Sequence, residues 1–229
     1  MTLYALPAPP QPSAAIRGSA LRFAVRRIFC VGRNYAEHAR EMGNDPDRDP
    51  PFFFTKPADA LVGDGATVPY PPATANLHFE GELVAAIGTG GANITAADAL
   101  SHIWGYAPGN DLTRRDLQAR AKENRHPWDM AKGFDLSAVC GALVPVSECG
   151  HALDAHLTLT VNGALRQSTD IAAMIWPLPA IIAALSALVT LAPGDLIYTG
   201  TPAGVGPLLP GDACTVTVTG LGSVSVKIT

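Results

Sequence analysis

The chain carries Glu80-Gly81-Glu82, two carboxylates two residues apart at the head of the apolar run Leu83–Ile87. In an extended strand, residues i and i+2 share a face about 6.6 Å apart, so both acids point the same way and can converge on one ion. The same-face positions that follow are Val84 and Ala86, while Gly81, Leu83, Ala85 and Ile87 occupy the other face, so neither side continues as a solvated surface. Two like charges turned toward a dry interior repel and shift each other's titration unless a cation neutralises them. Carboxylate oxygens suit a hard divalent ion. The alternative is a strand end carrying two solvated acids.

Other residues could join this chemistry, each with a plainer reading beside it. Asp111, in PGNDLTRRD, is a candidate third ligand or the cap of a helix that begins there. Arg115 and Gln118, four and seven residues beyond it, would lie on one helical face and suit an anionic, carbonyl-bearing substrate, or else face water. His38 and Glu41 stand at i, i+3 in NYAEHAREM, where the carboxylate can orient the imidazole to draw a proton from water; the alternative is a surface pair. Lys56 and Lys132 sit among aromatic and apolar residues and so face an anion or a carboxylate, unless their stems merely pack on the surface. The tract from Thr199 to Gly206, TGTPAGVG, is a Gly-rich turn whose backbone N–H groups can hold a carboxylate. No G-K-[ST] follows, so it is not a phosphate loop.

The elements that must position these groups are short. Among 229 residues only six are Glu and four Lys, whereas Gly and Pro number 22 and 20, which disfavours a helical bundle and favours many short strands and turns. The pattern predicts a mainly β chain with short helices, an α+β class. Residues 1–22, with PAPPQP, read as an N-terminal arm or small lobe, and 23–229 as one catalytic domain. FAVRRIFCVG reads as a strand ending at Gly32, followed by a short helix that Asn34 caps; Phe52 to Val62 reads as extended, and HFEGELVAAIG as a strand. Asn162-Gly163 predicts a hairpin, Pro177 to Gly194 brackets the best helix, and the residues after Asp195 alternate as β-structure.

A net charge of −4 without a basic run removes the electrostatic term that dominates nucleic-acid binding, although Arg26-Arg27 and Arg114-Arg115 form small clusters. The longest nearly apolar stretch, Ile181 to Ala192, is too short for a membrane span, and the first residues lack the pattern of a signal peptide, so a cytoplasmic location is the default expectation. Cys30, Cys140, Cys149 and Cys214 form no C-x-x-C pair and read as reduced, partly buried thiols.

Taken together and in order, FCVGRNYAEHAREMG, FFFTKPADALV, HFEGELVAAIG, GYAPGNDLTRRDLQ, HPWDMAKGFD and YTGTPAGVG resemble the fumarylacetoacetate hydrolase family over residues 25–229, most closely its bacterial members of the gentisate pathway. The resemblance implies a mixed β-sandwich roll, a homodimer, and Mg²⁺ as cofactor, with Mn²⁺ or Ca²⁺ as substitutes. It implies that Glu80, Glu82 and Asp111 hold the metal and that His38 with Glu41 activates water. Lys132 would stabilise an oxyanion, and Arg115, Gln118 and Thr201 would hold substrate, with Arg33 and Lys56 in matching tracts. Larger members have a further Asp ligand ahead of the dyad; here the tract is CVGRNY, without an acid, so water and substrate complete the metal shell. The implied activity is hydrolysis of a C–C bond in a small anionic 2,4-diketo acid, foremost fumarylpyruvate to fumarate and pyruvate. The family's decarboxylase and isomerase activities are the alternative, and a non-catalytic metal-binding subunit is a further one.

Overall fold

The computed structural model describes residues 5–36 and 50–229. Its centre is a mixed sheet whose strands run in the order Phe52–Lys56, Arg27–Gly32, Asp195–Tyr198, Gly81–Ile87, Ile103–Asp111, Ala138–Cys140 and Leu61–Val62, with Val144–Pro145 also pairing to Ile103–Asp111. Asp195–Tyr198 runs parallel to Arg27–Gly32 and antiparallel to Gly81–Ile87. A five-stranded sheet, ordered Ala164–Asp170, His156–Val161, Ala213–Val218, Gly222–Ile228 and Ala66–Val68, packs on one face of the first.

The side-chain alternation explains this layering. Leu83, Ala85 and Ile87 join Val139 and Ile197 against Leu157, Leu159, Val216 and Val224 of the second sheet. Val84, Ala86, Ala107, Leu196 and Tyr198 point to the opposite face, where Ala14 and Val25 of the N-terminal segment cover them. That segment pairs with itself, Ser13–Ala15 against Arg22–Ala24, so residues assigned to an arm contribute to the core. Every residue of Gly81–Ile87 is buried, as expected for a strand apolar on both faces, and each large aliphatic side chain so placed contributes roughly 1.5–3 kcal/mol.

The hairpin turn is where the sequence places it: Asn162 and Gly163 both have positive φ, 52° and 78°, between His156–Val161 and Ala164–Asp170. One expected element differs. The helix Leu178–Leu188 starts beside Pro177 but stops well before Pro193, because Leu191 exchanges backbone hydrogen bonds with Gly91 and draws Val189 into an extended conformation. The helix expected to follow Asn34 lies beyond residue 36, outside the described residues, but the Asn34 side chain itself is placed. Its Oδ1 accepts from the Trp176 N–H and its Nδ2 donates to the Trp176 and Thr199 carbonyls. All four cysteines are free. Among the described residues, no helix is long and apolar enough to cross a membrane.

Candidate active site

Two long strand segments leave the central sheet side by side and enter a small three-stranded sheet, where Leu77–Phe79 and Thr113–Arg114 pair again. The crossover lies at Glu80, between strands Leu77–Phe79 and Gly81–Ile87, and at Leu112 on the partner chain segment. The Asp111 N–H donates to the Glu80 carbonyl at 2.9 Å, and Glu82 pairs with Gly109. This antiparallel register puts Glu80, Glu82 and Asp111 on one face, the face that continues as Val84 and Ala107. Gly109 is needed there, since a Cβ would stand 2.4 Å from Val84 Cγ2. Carboxylate oxygens of the three acids lie within 4.8 Å of one another, and all three residues are buried. The expected E-x-E pair therefore aims inward. Asp111 ends a strand rather than capping the helix Arg115–Glu123, which begins four residues later.

Three cations surround the acids. The Lys132 ammonium lies 2.5 Å from Glu80 Oε2 and 2.7 Å from Asp111 Oδ2. Lys56 Nζ is 2.8 Å from Asp111 Oδ1, and Arg115 Nη2 is 2.5 Å from Glu80 Oε1. Glu82 differs from its neighbours. It accepts the Gly200 N–H at 2.7 Å, and no ion pair reaches it among the described residues. Burial, reinforced by Asp111 and Glu80, pushes its carboxyl well above the ordinary range. Burial alone would lower the Lys132 ammonium, but Asp111 and Glu80 outweigh that effect and hold it above its usual value, so it stays protonated. A buried, all-oxygen donor set with one carboxylate lacking a cationic partner fits a hard divalent ion. Glu80, Glu82 and Asp111 are the residues that would hold it.

The remaining expected residues divide into two groups. Arg33, Arg115, Gln118, Lys132 and Thr201 line one pocket together with Glu80 and Glu82. Arg33 takes a positive φ of 59°, an uncommon conformation for a bulky residue, and its guanidinium carbon lies 5.2 Å from the Phe52 ring centre. Arg115 Nη1 donates to Gln118 Oε1 at 2.6 Å, so the pair forms a unit leaning on Glu80. Lys56 lies elsewhere: its side chain has no exposure, does not line the pocket, and donates to the Leu112 and Lys132 carbonyls as well as pairing with Asp111. In this structure Lys56, expected to contact substrate, instead supports the Asp111 carboxylate from behind the pocket. His38 and Glu41 fall outside the described residues.

Several positioning residues carry no local sequence signal. Asn110 Oδ1 accepts the Glu80 N–H and Gln167 Oε1 accepts the Gly81 N–H, both at 2.9 Å, which satisfies the backbone at the crossover. Gln167 also donates to Thr201 Oγ1 at 2.9 Å, linking the crossover to the Gly-rich turn. That turn does hold a carboxylate through its backbone, as its composition suggests, but the carboxylate is Glu82 of the same chain. Lys122 and Trp128 complete the pocket wall. Lys122 continues the Arg115–Gln118 helical face by one more turn, a period the sequence does display. Of the two Arg pairs, Arg26 and Arg27 both bind the buried Asp195, and Arg115 binds Glu80.

Residues 27–229 match the model of the fumarylacetoacetate (FAA) hydrolase C-terminal family. The chain is 43% identical over 190 residues to fumarylpyruvate hydrolase from Ralstonia sp., covering 82% of this chain and 98% of that protein. It is 39% identical over 203 residues to the mitochondrial oxaloacetate tautomerase of Homo sapiens, covering 89% and 91%. The crystal structure of fumarylpyruvate hydrolase from Pseudomonas aeruginosa in complex with Mn²⁺ and pyruvate superposes with a TM-score of 0.96 at 49% identity, covering 99% of both chains. A mainly β, mixed-sheet architecture, an inward-facing carboxylate triad and a family match over most of its length agree, and the chain belongs to the fumarylacetoacetate hydrolase family.

Proposed function

We propose that this protein is a metal-dependent hydrolase that cleaves fumarylpyruvate to fumarate and pyruvate. The observation that carries the reading is the meeting of the carboxylate triad with the Lys132 ammonium at a pocket walled by Arg33, Arg115 and Lys122. The likeness to a fumarylpyruvate hydrolase that binds Mn²⁺ and pyruvate supports it. Three carboxylates against Lys56, Lys132 and Arg115 are neutral overall. A divalent ion held by Glu80, Glu82 and Asp111 would leave two positive charges there, and Arg33 and Lys122 in the pocket wall add to them, a field that attracts a dianionic diketo acid.

When bound, Mg²⁺ or Mn²⁺ supplies Lewis-acid polarisation of the keto-acid end. His38, oriented by Glu41, takes a proton from water, and the water oxygen adds to the distal carbonyl carbon. The protonated Lys132 donates a hydrogen bond to the oxyanion that forms. The bond between that carbon and the pyruvate methylene then breaks. Fumarate leaves with the water oxygen, and the electron pair stays on the pyruvate enolate, which takes a proton to give pyruvate.

The oxaloacetate tautomerase relative keeps a second reading in play, since enolisation needs a metal and a proton carrier but no attacking water. Rates and products with fumarylpyruvate, acetylpyruvate and oxaloacetate separate the two. The hydrolase reading expects loss of the diketo enol absorbance with matching pyruvate release. Inert diketo acids with rapid oxaloacetate enol–keto exchange would establish the tautomerase reading in its place.

A further inference from the structure

We propose that Lys122 recognises the distal carboxylate of the substrate and selects diketo acids that carry a second carboxylate at the acyl end. The inference rests on the proposed hydrolase reading and adds a residue that the family resemblance does not assign.

The helix Arg115–Glu123 presents Arg115, Gln118 and Lys122 to the same pocket on successive turns. Arg115 is already engaged at both ends of its guanidinium, with Glu80 and Gln118. Lys122 is not: among the described residues its ammonium has no carboxylate partner and no hydrogen bond, and its one recorded contact is the Trp128 ring, 5.6 Å from Nζ to the ring centre. The Arg33 guanidinium lies 6.0 Å from the same ring, so two cations lie close to one indole. Partial burial, then Arg33 and Arg115, push the Lys122 ammonium down to about 8, with Glu80 opposing and Lys132 adding to the fall. A half-buried cation among cations lacks a counter-ion that a bound carboxylate would provide.

The reach is also right. Seven residues of helix rise about 10 Å from Arg115, beside the triad, to Lys122. Six carbon–carbon bonds in zigzag separate the two carboxyl carbons of an extended fumarylpyruvate by roughly 7–8 Å. An ammonium–carboxylate contact of about 2.8 Å closes the difference.

The test compares Mn²⁺-loaded wild type, Lys122→Met and Lys122→Arg on fumarylpyruvate and on acetylpyruvate, which lacks the second carboxylate, together with inhibition by fumarate and by pyruvate. For Lys122→Met the expected result is a rise of about 10–100-fold in the fumarylpyruvate KM and the fumarate inhibition constant. Turnover number, acetylpyruvate kinetics, pyruvate inhibition and melting temperature stay within about twofold or 2 °C, and Lys122→Arg recovers most of the loss. Equal losses with and without the second carboxylate, or no change in any constant, overturn the inference while leaving the hydrolase reading intact. Wild-type inactivity on both diketo acids refutes the hydrolase reading, and the inference falls with it.

Discussion

Glu82→Gln should make the metal-free protein more stable while destroying metal binding. Glu82 is 1% exposed, has two carboxylates beside it, and is compensated by the Gly200 N–H and more distantly by Lys132. Gln keeps the shape and leaves an oxygen to accept that N–H, so the substitution removes a buried charge without opening a cavity. The charge carries a net penalty because burial and the neighbouring acids raise the carboxyl's pKa in the fold. A raised folded pKa means that the native state binds more protons than the unfolded chain above the ordinary Glu value of about 4.3. Stability of the metal-free wild type therefore falls as pH rises from there through the raised folded value, and it levels off beyond it. Relief of about 1–3 kcal/mol is the expected scale, or roughly 3–10 °C in melting temperature for a chain of this size. The assay is a thermal melt of chelator-treated protein from pH 5 to 8, paired with calorimetric Mn²⁺ titration. The variant's advantage should grow with pH, and its Mn²⁺ affinity should fall at least 100-fold. A variant that melts lower than wild type at pH 8 and still binds Mn²⁺ would show that the Glu82 charge carries no net penalty and holds no metal.

Lys56→Met removes the ammonium that supports Asp111 and leaves the Leu112 and Lys132 carbonyls without that donor, so a loss of about 3 kcal/mol is expected, with the fumarylpyruvate KM nearly unchanged. Melting curves and kinetics check it, and a large KM change without loss of stability would restore a substrate contact. His38→Ala and Glu41→Gln should each lower kcat by 100-fold or more while leaving Mn²⁺ affinity within about threefold; equal loss of metal would contradict the division of roles. Gly200→Ala should cost about 1–3 kcal/mol, measured by chemical denaturation. Gly200 has φ +98°, and an added Cβ would stand 2.7 Å from Asn34 Cβ.

What the sequence reveals depends on how far apart the cooperating residues lie. Glu80 and Glu82 are legible because strand alternation alone fixes their shared face, and the apolar residues on both sides turn that face inward. The place of Asp111 opposite Glu80 is a matter of cross-strand register, which only the pairing of Gly81–Ile87 with Ile103–Asp111 decides. Lys56 and Lys132 share the same local signal, a lysine in apolar surroundings, yet one lines the pocket and the other lies behind the triad. Their roles separate only in three dimensions. Lys122, set in the polar run ARAKENR, gives no such signal, although the helical period from Arg115 reaches it. Gln167 and Asn110 act through backbone N–H groups at the crossover, a break invisible in the unbroken strand pattern of HFEGELVAAIG.

Product stoichiometry is the decisive measurement for the proposed metal-dependent hydrolysis at the Glu80, Glu82 and Asp111 face. Protein stripped of metal is given fumarylpyruvate, then Mn²⁺, while fumarate and pyruvate are followed by proton NMR. The expected result is negligible turnover before Mn²⁺ and equimolar fumarate and pyruvate after it, with no restoration in Glu82→Gln. Turnover that ignores chelation, or products other than that equimolar pair, would contradict it.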